Sequence, residues 1–402
     1  MRILIGGFGS RGDMQPMLAL GLGLRARGHA VTVCGPPDFA AWADELALPF
    51  AAVGGSVQDL VQRGTDRNGN VRTVTVLREA RAMGHAHFAA LEPLVARSDL
   101  VVASGITVAG ASLAERRGIP YVFVGLCPQV IPSREHPHPM VPRQTLPGPV
   151  NRLTWRVGGL ANNLVFRGTV NRERARLGLA PIGDIWSHVI FHRLIVAADP
   201  ALAPLPADVP AGVRQTAAVY MPEPEDLPVG VEEFLQAGPP PVYIGFGSMA
   251  DQDPVRTSLG ILEAARRAGV RVLLSSGWAG LGAVELPPTA LVIGHTPHGK
   301  LFPRCAAVVH HGGAGTTANA ARSGVPQVLV PHFLDQFYWC HRVWKLGLSP
   351  PPIPRSLLQV EPLAAALRTC RDDTALRERA RAFAPSVALD GLERTIQLIE
   401  SC

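Results

Sequence analysis

The sequence predicts an α/β protein in two halves, each built on a parallel sheet. Short β-branched runs alternate with helical stretches along the chain, which is the rhythm of strand-helix-strand units. A proline-rich connector without periodicity, residues 198–212, separates the halves. The length of 402 residues suits two domains of roughly 200 residues each.

In the first half, the predicted strands cover residues 2–7, 30–34, 99–104 and 121–125. A leucine-rich helix starts near Met14 and ends at Gly28, where glycine can adopt the left-handed cap conformation. Residues 54–72 and the proline-rich residues 127–149 are predicted as long loops. Loops at the carboxyl ends of parallel strands line binding crevices, so both are candidates for holding a second substrate.

The second half repeats the pattern. Its predicted strands are residues 241–248, 271–276, 290–294, 306–311 and 327–331. We therefore expect a domain at residues 1–205, a second at 213–384 and a final helical segment at 385–402.

Composition excludes several classes of protein. Hydrophobic residues make up 47% and charged residues 17%, no apolar run approaches a membrane span, and the apolar N-terminal stretch is too short for a signal peptide. We expect a cytoplasmic protein. The six cysteines lack CxxC spacing, which favours reduced thiols. The net charge of +6 comes from dispersed arginines, which disfavours nucleic acid and leaves a weak peripheral membrane contact open.

The glycine-rich turn at residues 308–317 carries the strongest chemical signal. A strand leads into His311, Gly313 and Gly315, and Thr316 opens a helix. Glycines let backbone N–H groups approach a phosphate, and a helix N-terminus favours its negative charge. A second such turn contains Ser248. For a single glycine turn, the alternative is a strand-to-helix connection that binds nothing.

Asp335 and Gln336 follow the next predicted strand, so they should reach the same edge of the sheet as the glycine turn. A carboxylate and an amide at that place suit sugar hydroxyls. Residues 292–346, with His311-x-Gly313, Gly324-Val325-Pro326 and Asp335-Gln336, resemble the nucleotide-sugar signature of family 1 glycosyltransferases. The whole chain is similar to bacterial members that decorate antibiotics, lipids and sterols.

The resemblance implies the GT-B architecture, with two Rossmann-like domains whose parallel sheets face a central cleft and a C-terminal helix that returns to the N-terminal domain. The first domain would bind the acceptor and the second the nucleotide sugar. Asn319 stands where plant members carry a glutamate for the ribose diol, which is compatible with a thymidine nucleotide. The implied donor contacts are Ser248, His311, Gly313, Gly315 and Thr316 for the diphosphate, His295, Thr296 and His298 for the nucleobase and ribose, and Asp335 and Gln336 for the sugar.

The N-terminal turn, residues 6–16, has a GxGxxG spacing, but no acidic residue ends the second strand, so NAD is rejected as cofactor. By resemblance to bacterial members with a G-x-R-G-D sequence, Asp13 is the general base, and Ser10, Arg11 and Gly12 lie on the acceptor side. The alternative is that Asp13 only caps the helix that follows.

The expected reaction is inverting transfer of a hexose or deoxyhexose from a UDP- or dTDP-sugar to a hydroxyl of a hydrophobic small molecule. No metal or further cofactor is expected, since His85 with His87 and His136 with His138 lack additional ligands. A sterol or lipid acceptor, a sugar-nucleotide epimerase and a non-catalytic nucleotide-sugar-binding protein are the alternatives. The protein would act as a monomer or homodimer.

Overall fold

The computed structural model describes residues 1–64, 73–105, 107–222 and 226–402. Twelve strands occur in these ranges: β1 (Arg2–Phe8), β2 (Ala30–Gly35), β3 (Phe50–Ala52), β4 (Leu100–Gly105), β5 (Tyr121–Gly125), β6 (Leu194–Val196), β7 (Arg214–Gln215), β8 (Val242–Gly245), β9 (Val272–Ser275), β10 (Ala290–Ile293), β11 (Ala307–His310) and β12 (Gln327–Leu329).

The same ranges contain fifteen α-helices: α1 (Arg11–Ala26), α2 (Ala40–Glu45), α3 (Val57–Gly64), α4 (Thr73–Val95), α5 (Gly110–Arg117), α6 (Gly148–Arg176), α7 (Ile185–Ile190), α8 (Val229–Gln236), α9 (Pro254–Ala268), α10 (His298–Leu301), α11 (Ala314–Arg322), α12 (Gln336–Lys345), α13 (Val360–Asp372), α14 (Thr374–Phe383) and α15 (Gly391–Glu400). None of the helices so described is long and apolar enough to cross a membrane.

The first of two compact units contains the described residues up to Met221, apart from a short stretch that begins at Val61, together with Leu389–Cys402. Its seven strands lie in the order β3-β2-β1-β4-β5-β6-β7, and all neighbours are parallel. The strand order reverses direction between β1 and β4. In open parallel sheets, ligands bind where the order reverses, outside the carboxyl ends of the strands.

The second unit, mainly Pro222–Ala388, has the parallel order β10-β9-β8-β11-β12. Alternate side chains of each strand point to opposite faces of the sheet. On β8, Val242 and Ile244 pack in the cluster that includes α9 and α13, whereas Tyr243 packs with α8, α10 and α11. Helices therefore cover both faces, which confirms the predicted α/β class and the predicted parallel sheets.

The boundary between the units differs from the expectation. The proline-rich connector stays in the first unit, because β7 pairs with β6 and Gln215 Nε2 donates to the carbonyls of Ala198 and Ala203 at 2.9 and 2.8 Å. The chain passes to the second unit after Met221.

A long loop was predicted over residues 54–72. This prediction is wrong for Val57–Gly64, which form α3. Residues 65–72 lie outside the described part of the chain. A local and a distant residue both cap α3. Ser56 Oγ accepts from the backbone N–H of Asp59 at 3.1 Å, and the Asp38 carboxylate accepts from Ser56 Oγ at 2.6 Å and from the backbone N–H of Val57 at 2.9 Å. Ser56 is a capping signal that the sequence offers, whereas the contact with Asp38 is not. Residues 127–149 are largely irregular, as expected, and lead into α6.

The last helix packs against the first. Arg27, just after α1, forms ion pairs with Glu393 and Glu400 of α15, and a Cβ at Gly23 would overlap Ile396. Thr395 Oγ1 lies 2.8 Å from Thr216 Oγ1 in the interior. Helix α15 therefore completes the first unit.

Candidate functional site

The glycine turn after β11 is held in place by His310. The N–H of Gly312 donates to His310 Nδ1 at 3.1 Å, and His310 Nε2 lies 2.8 Å from Gln327 Oε1 on β12. Burial lowers the pKa of His310 to about 4, so the ring is neutral. Sequence reasoning assigned no role to His310 or Gln327; the pair of adjacent histidines before the glycines was the available signal.

His311 lies in a cradle of glycines. A Cβ at Gly247 would come within 3.0 Å of the ring Cε1, and one at Gly313 within 2.6 Å of Nε2. Burial lowers the pKa of His311 well below its usual value. Nδ1 is buried with no hydrogen-bond partner among the described residues. Because a buried N–H without an acceptor is costly, we place the proton on Nε2, which can then donate to a ligand.

Helix α11 starts directly beside this imidazole. Its N-cap is Gly313, which has no side chain, and the first backbone bond within the turn runs from the N–H of Thr317 to the carbonyl of Gly313 at 2.9 Å. Gly315 is exposed and Thr316 half-buried. The N–H groups of the first turn have no carbonyl partner in their own helix, so this end can bind an anion.

Strand pairing brings the two glycine turns together. Gly245 of β8 is opposite His310 of β11, so the turn that holds Gly247 and Ser248 lies next to His311. Ser248 is buried. The strand order of the second unit reverses between β8 and β11, so the predicted diphosphate contacts lie at its switch point.

Asp335 and Gln336 reach the same edge of the sheet from β12. A Cβ at Gly312 would lie 3.0 Å from the Gln336 carbonyl oxygen. Gln336 is buried; its Oε1 accepts from the N–H groups of His332 and Phe333 at 2.8 and 3.2 Å, and its Nε2 donates to Met249 Sδ at 3.2 Å. The amide therefore shapes the loop that carries Asp335. Burial raises the pKa of Asp335 to about 6.

The nucleobase candidates follow β10. His298 stacks on Phe302 with ring centroids 4.3 Å apart, and Thr296 is buried while His295 is exposed. Asn319 is tied to its own helix: its Nδ2 donates to the Gly315 carbonyl at 2.8 Å and its Oδ1 accepts from Arg322 Nε at 3.0 Å. Its side chain is thus engaged with the helix.

In the N-terminal turn, Asp13 is not the N-cap residue that the alternative interpretation made it. Helix α1 starts at Arg11, not near Met14, and its N-cap is Ser10, not Asp13. Asp13 occupies the third helical position, where its Oδ2 accepts from the Ser10 N–H at 2.8 Å in a capping box. The Arg11 guanidinium lies 4.0 Å from the centroid of Trp42. The turn sits at the β1/β4 switch point of the first unit, with Gly12 exposed.

The two histidine pairs that were considered as metal ligands, His85 with His87 and His136 with His138, contact protein side chains. His85 Nδ1 lies 2.6 Å from Glu173, and His138 packs against Trp155 with ring centroids 4.9 Å apart. No group of three or more His, Cys, Asp or Glu side chains in the described ranges could hold a metal ion.

Two protein-family models match parts of the chain. Residues 3–129 match the model of the glycosyltransferase family 28 N-terminal domain, and residues 272–391 match that of the erythromycin biosynthesis protein CIII-like C-terminal domain. The chain is 37% identical to vancomycin aglycone glucosyltransferase of Amycolatopsis orientalis, over 99% of this chain and 97% of the relative. It is 32% identical to a sterol 3-beta-glucosyltransferase of Arabidopsis thaliana, over 92% of this chain and 62% of the relative.

Solved structures show the same fold. Glycosyltransferase VinC in complex with dTDP matches with a TM-score of 0.70 and 21% identity, over 100% of this chain and 99% of that one. The glycosyltransferase of kitacinnamycin matches with a TM-score of 0.72 and 22% identity, over 100% and 98%.

The fold is that of a GT-B enzyme, and the chain belongs to the family 1 glycosyltransferases. It is a glycosyltransferase. Its relatives include antibiotic glycosyltransferases and sterol glucosyltransferases.

Proposed function

We propose that the protein transfers a hexose or deoxyhexose, with inversion, from a UDP- or dTDP-sugar to a hydroxyl of a hydrophobic small molecule. The observation that carries this proposal is the meeting of three groups at one sheet edge. His311 Nε2, the open N-terminus of α11 and the loop of Asp335 all lie beside the β8/β11 switch point. Together they suit a diphosphate with a sugar attached.

In the proposed reaction, the acceptor hydroxyl oxygen attacks the anomeric carbon as its proton passes to the Asp13 carboxylate. The bond from that carbon to the diphosphate oxygen breaks, and the nucleoside diphosphate leaves with the electron pair. The N–H groups of α11 and His311 Nε2 would stabilise the negative charge that develops. No metal or cofactor takes part in this scheme.

A thymidine nucleotide is the favoured donor. The engaged Asn319 side chain offers no carboxylate for a ribose diol, a relative with 34% identity over 96% of this chain is a dTDP-epi-vancosaminyltransferase, and VinC was solved with dTDP. A natural-product aglycone is the favoured acceptor. A sterol is the second candidate, because sterol glucosyltransferases are among the relatives.

The deciding experiment is a panel of UDP- and dTDP-sugars, each incubated with glycopeptide, macrolide and sterol acceptors. Nucleoside diphosphate release and glycosylated product should appear together. A changed donor sugar without any acceptor would indicate an epimerase, and tight donor binding without turnover would indicate a binding protein.

The role of Asp13 is tested by Asp13→Asn, which keeps an oxygen for the Ser10 N–H and removes the base. We expect kcat to fall by about 10²- to 10⁴-fold while dTDP affinity, measured by calorimetry, is unchanged. Ser10→Ala, which removes only the cap, should cost much less. Turnover near that of the parent enzyme in Asp13→Asn would place the base elsewhere.

A further inference from the structure

Helix α6 has an apolar stripe on its outward face. Leu153, Val157, Leu160 and Leu164 are 56%, 58%, 70% and 85% exposed. Their spacing of four, three and four residues places them within roughly 60° of arc on a helix that advances about 100° per residue. They form one continuous strip along three turns.

The opposite face of α6 is the one that packs. Asn151, Trp155, Thr169 and Glu173 are buried. Trp155 Nε1 donates to the His136 carbonyl at 3.1 Å, and Asn151 Nδ2 to the Arg134 carbonyl at 2.8 Å. These bonds fix the rotation of the helix, so the stripe faces outward. The buried face mixes polar and apolar side chains, and the exposed face is more apolar than is usual for a surface helix.

The surface around the stripe is basic. Residues 136–172 contain five arginines and no aspartate or glutamate. Arg152, Arg156 and Arg167 are exposed and lie along one edge of the stripe. The Asp208 carboxylate interacts electrostatically with Arg152 and offsets part of this charge, but it is one carboxylate against three exposed arginines. The patch therefore carries a net positive charge.

We propose that this face of α6 binds an anionic lipid surface, with the stripe inserted at the boundary of the acyl chains and the arginines on the head groups. An apolar face beside arginines is the composition of helices that lie in a membrane interface. A second copy of the chain is disfavoured as occupant in an antiparallel two-fold contact, because that contact would bring the two arginine edges together. The proposal is independent of the sugar-transfer reaction, since lipid binding needs neither donor nor acceptor.

The test is co-sedimentation of the full chain with vesicles of phosphatidylcholine alone or mixed equally with phosphatidylglycerol. We expect binding to the anionic vesicles only, and loss of that binding in high salt. The double variant Leu160→Ser/Leu164→Ser should lower the bound fraction by about tenfold or more. The matched control is Val255→Ser/Leu259→Ser, an exposed apolar pair on α9 that is 45% and 53% exposed; it should bind as the parent does.

Two further readouts keep the result interpretable. Thermal unfolding of both double variants should match the parent within about 2 °C, because no buried group is changed. Light scattering gives the mass of each protein. Absence of vesicle binding, equal loss in the α9 variant, or a dimer that the α6 variant converts to monomer would each overturn the proposal.

Discussion

The Asp13 carboxylate lies directly over the Cα of Gly9. A Cβ at Gly9 would overlap it, 2.5 Å from the carboxylate carbon. Glycine at position 9 therefore sets the place of the proposed base, while the capping box with Ser10 sets its orientation. Two backbone features of one turn thus position a single side chain.

Gly9→Ala should displace Asp13 and lower kcat by about 10- to 100-fold, with dTDP affinity retained. The matched control is Gly260→Ala on α9, where a Cβ would meet no atom within 4 Å. Steady-state kinetics of both variants check this. Equal effects of the two substitutions would contradict the proposed arrangement.

Gln336 is predicted to have two separable roles. Gln336→Ala removes the acceptor of two part-buried N–H groups, those of His332 and Phe333, and should lower the free energy of unfolding by about 1–3 kcal/mol. Gln336→Glu keeps oxygens for those groups but loses the amide donor. If the amide also contacts the sugar, the Glu variant should raise KM for the donor without a comparable loss of stability. Denaturant titration together with kinetics separates the two roles.

Six histidines with lowered pKa values predict acid lability; His87, His136, His138 and His310 are buried, and His188 and His332 are half-buried. Burial lowers the pKa of His87, His136, His138, His188 and His310 to about 4 and that of His332 to about 3. The unfolded chain binds these protons near pH 6.5, and the folded chain does not. Stability is therefore full above pH 6.5 and is lost as pH falls toward 4.

The measurement for this prediction is the urea midpoint between pH 7.5 and 5. His87→Phe, which keeps the ring contact with Phe8 (centroids 4.7 Å apart in the parent), should reduce the slope by about one proton, or about 1.4 kcal/mol per pH unit, near pH 5.5. A midpoint independent of pH in that range would contradict the burial of these rings.

Ionisation of Asp335 lowers the free energy of unfolding as pH rises, which is the opposite of the effect of the histidines. Its pKa is raised to about 6 in the folded protein, so holding it ionised costs free energy above that pH. Asp335→Asn should therefore raise the free energy of unfolding at pH 7.5 by about 1–2 kcal/mol, and the gain should shrink as pH falls from 6 toward 4. Transfer activity should fall in the same variant. A loss of stability at pH 7.5 would indicate that the carboxylate is compensated by an ionic partner.

Much of the fold could be predicted from the sequence. The positions of nine of the twelve described strands followed from β-branched runs, whereas β3, β6 and β7 were not predicted. The placement of residues around His311 and Asp335 followed from the rule that carboxyl ends of parallel strands share one edge. The structure brings Ser248, His311, Gly313 and the loop of Asp335 together at that edge. Their contacts with donor and acceptor remain predictions.

The missed features depend on contacts between residues distant in sequence. Examples are the contact of Asp38 with the N-terminus of α3 and the pairing of β7 with β6 beyond the proline-rich stretch. Helix α6 was not predicted, because its outward leucines and its mixed polar and apolar inward face depart from the pattern by which an amphipathic helix is recognised. The engagement of Gln336 with the His332 and Phe333 N–H groups likewise has no signature in the sequence.

The packing of α15 on α1 has a consequence for synthesis. During translation, the ribosome must produce the entire second unit before the residues that cover Gly23 and pair with Arg27 exist. The first unit therefore emerges first but is completed last. Until α15 is made, the side of α1 that α15 covers stays exposed. A chain cut before Leu389 would therefore contain all the described residues of the second unit and lack the helix that covers α1 in the first.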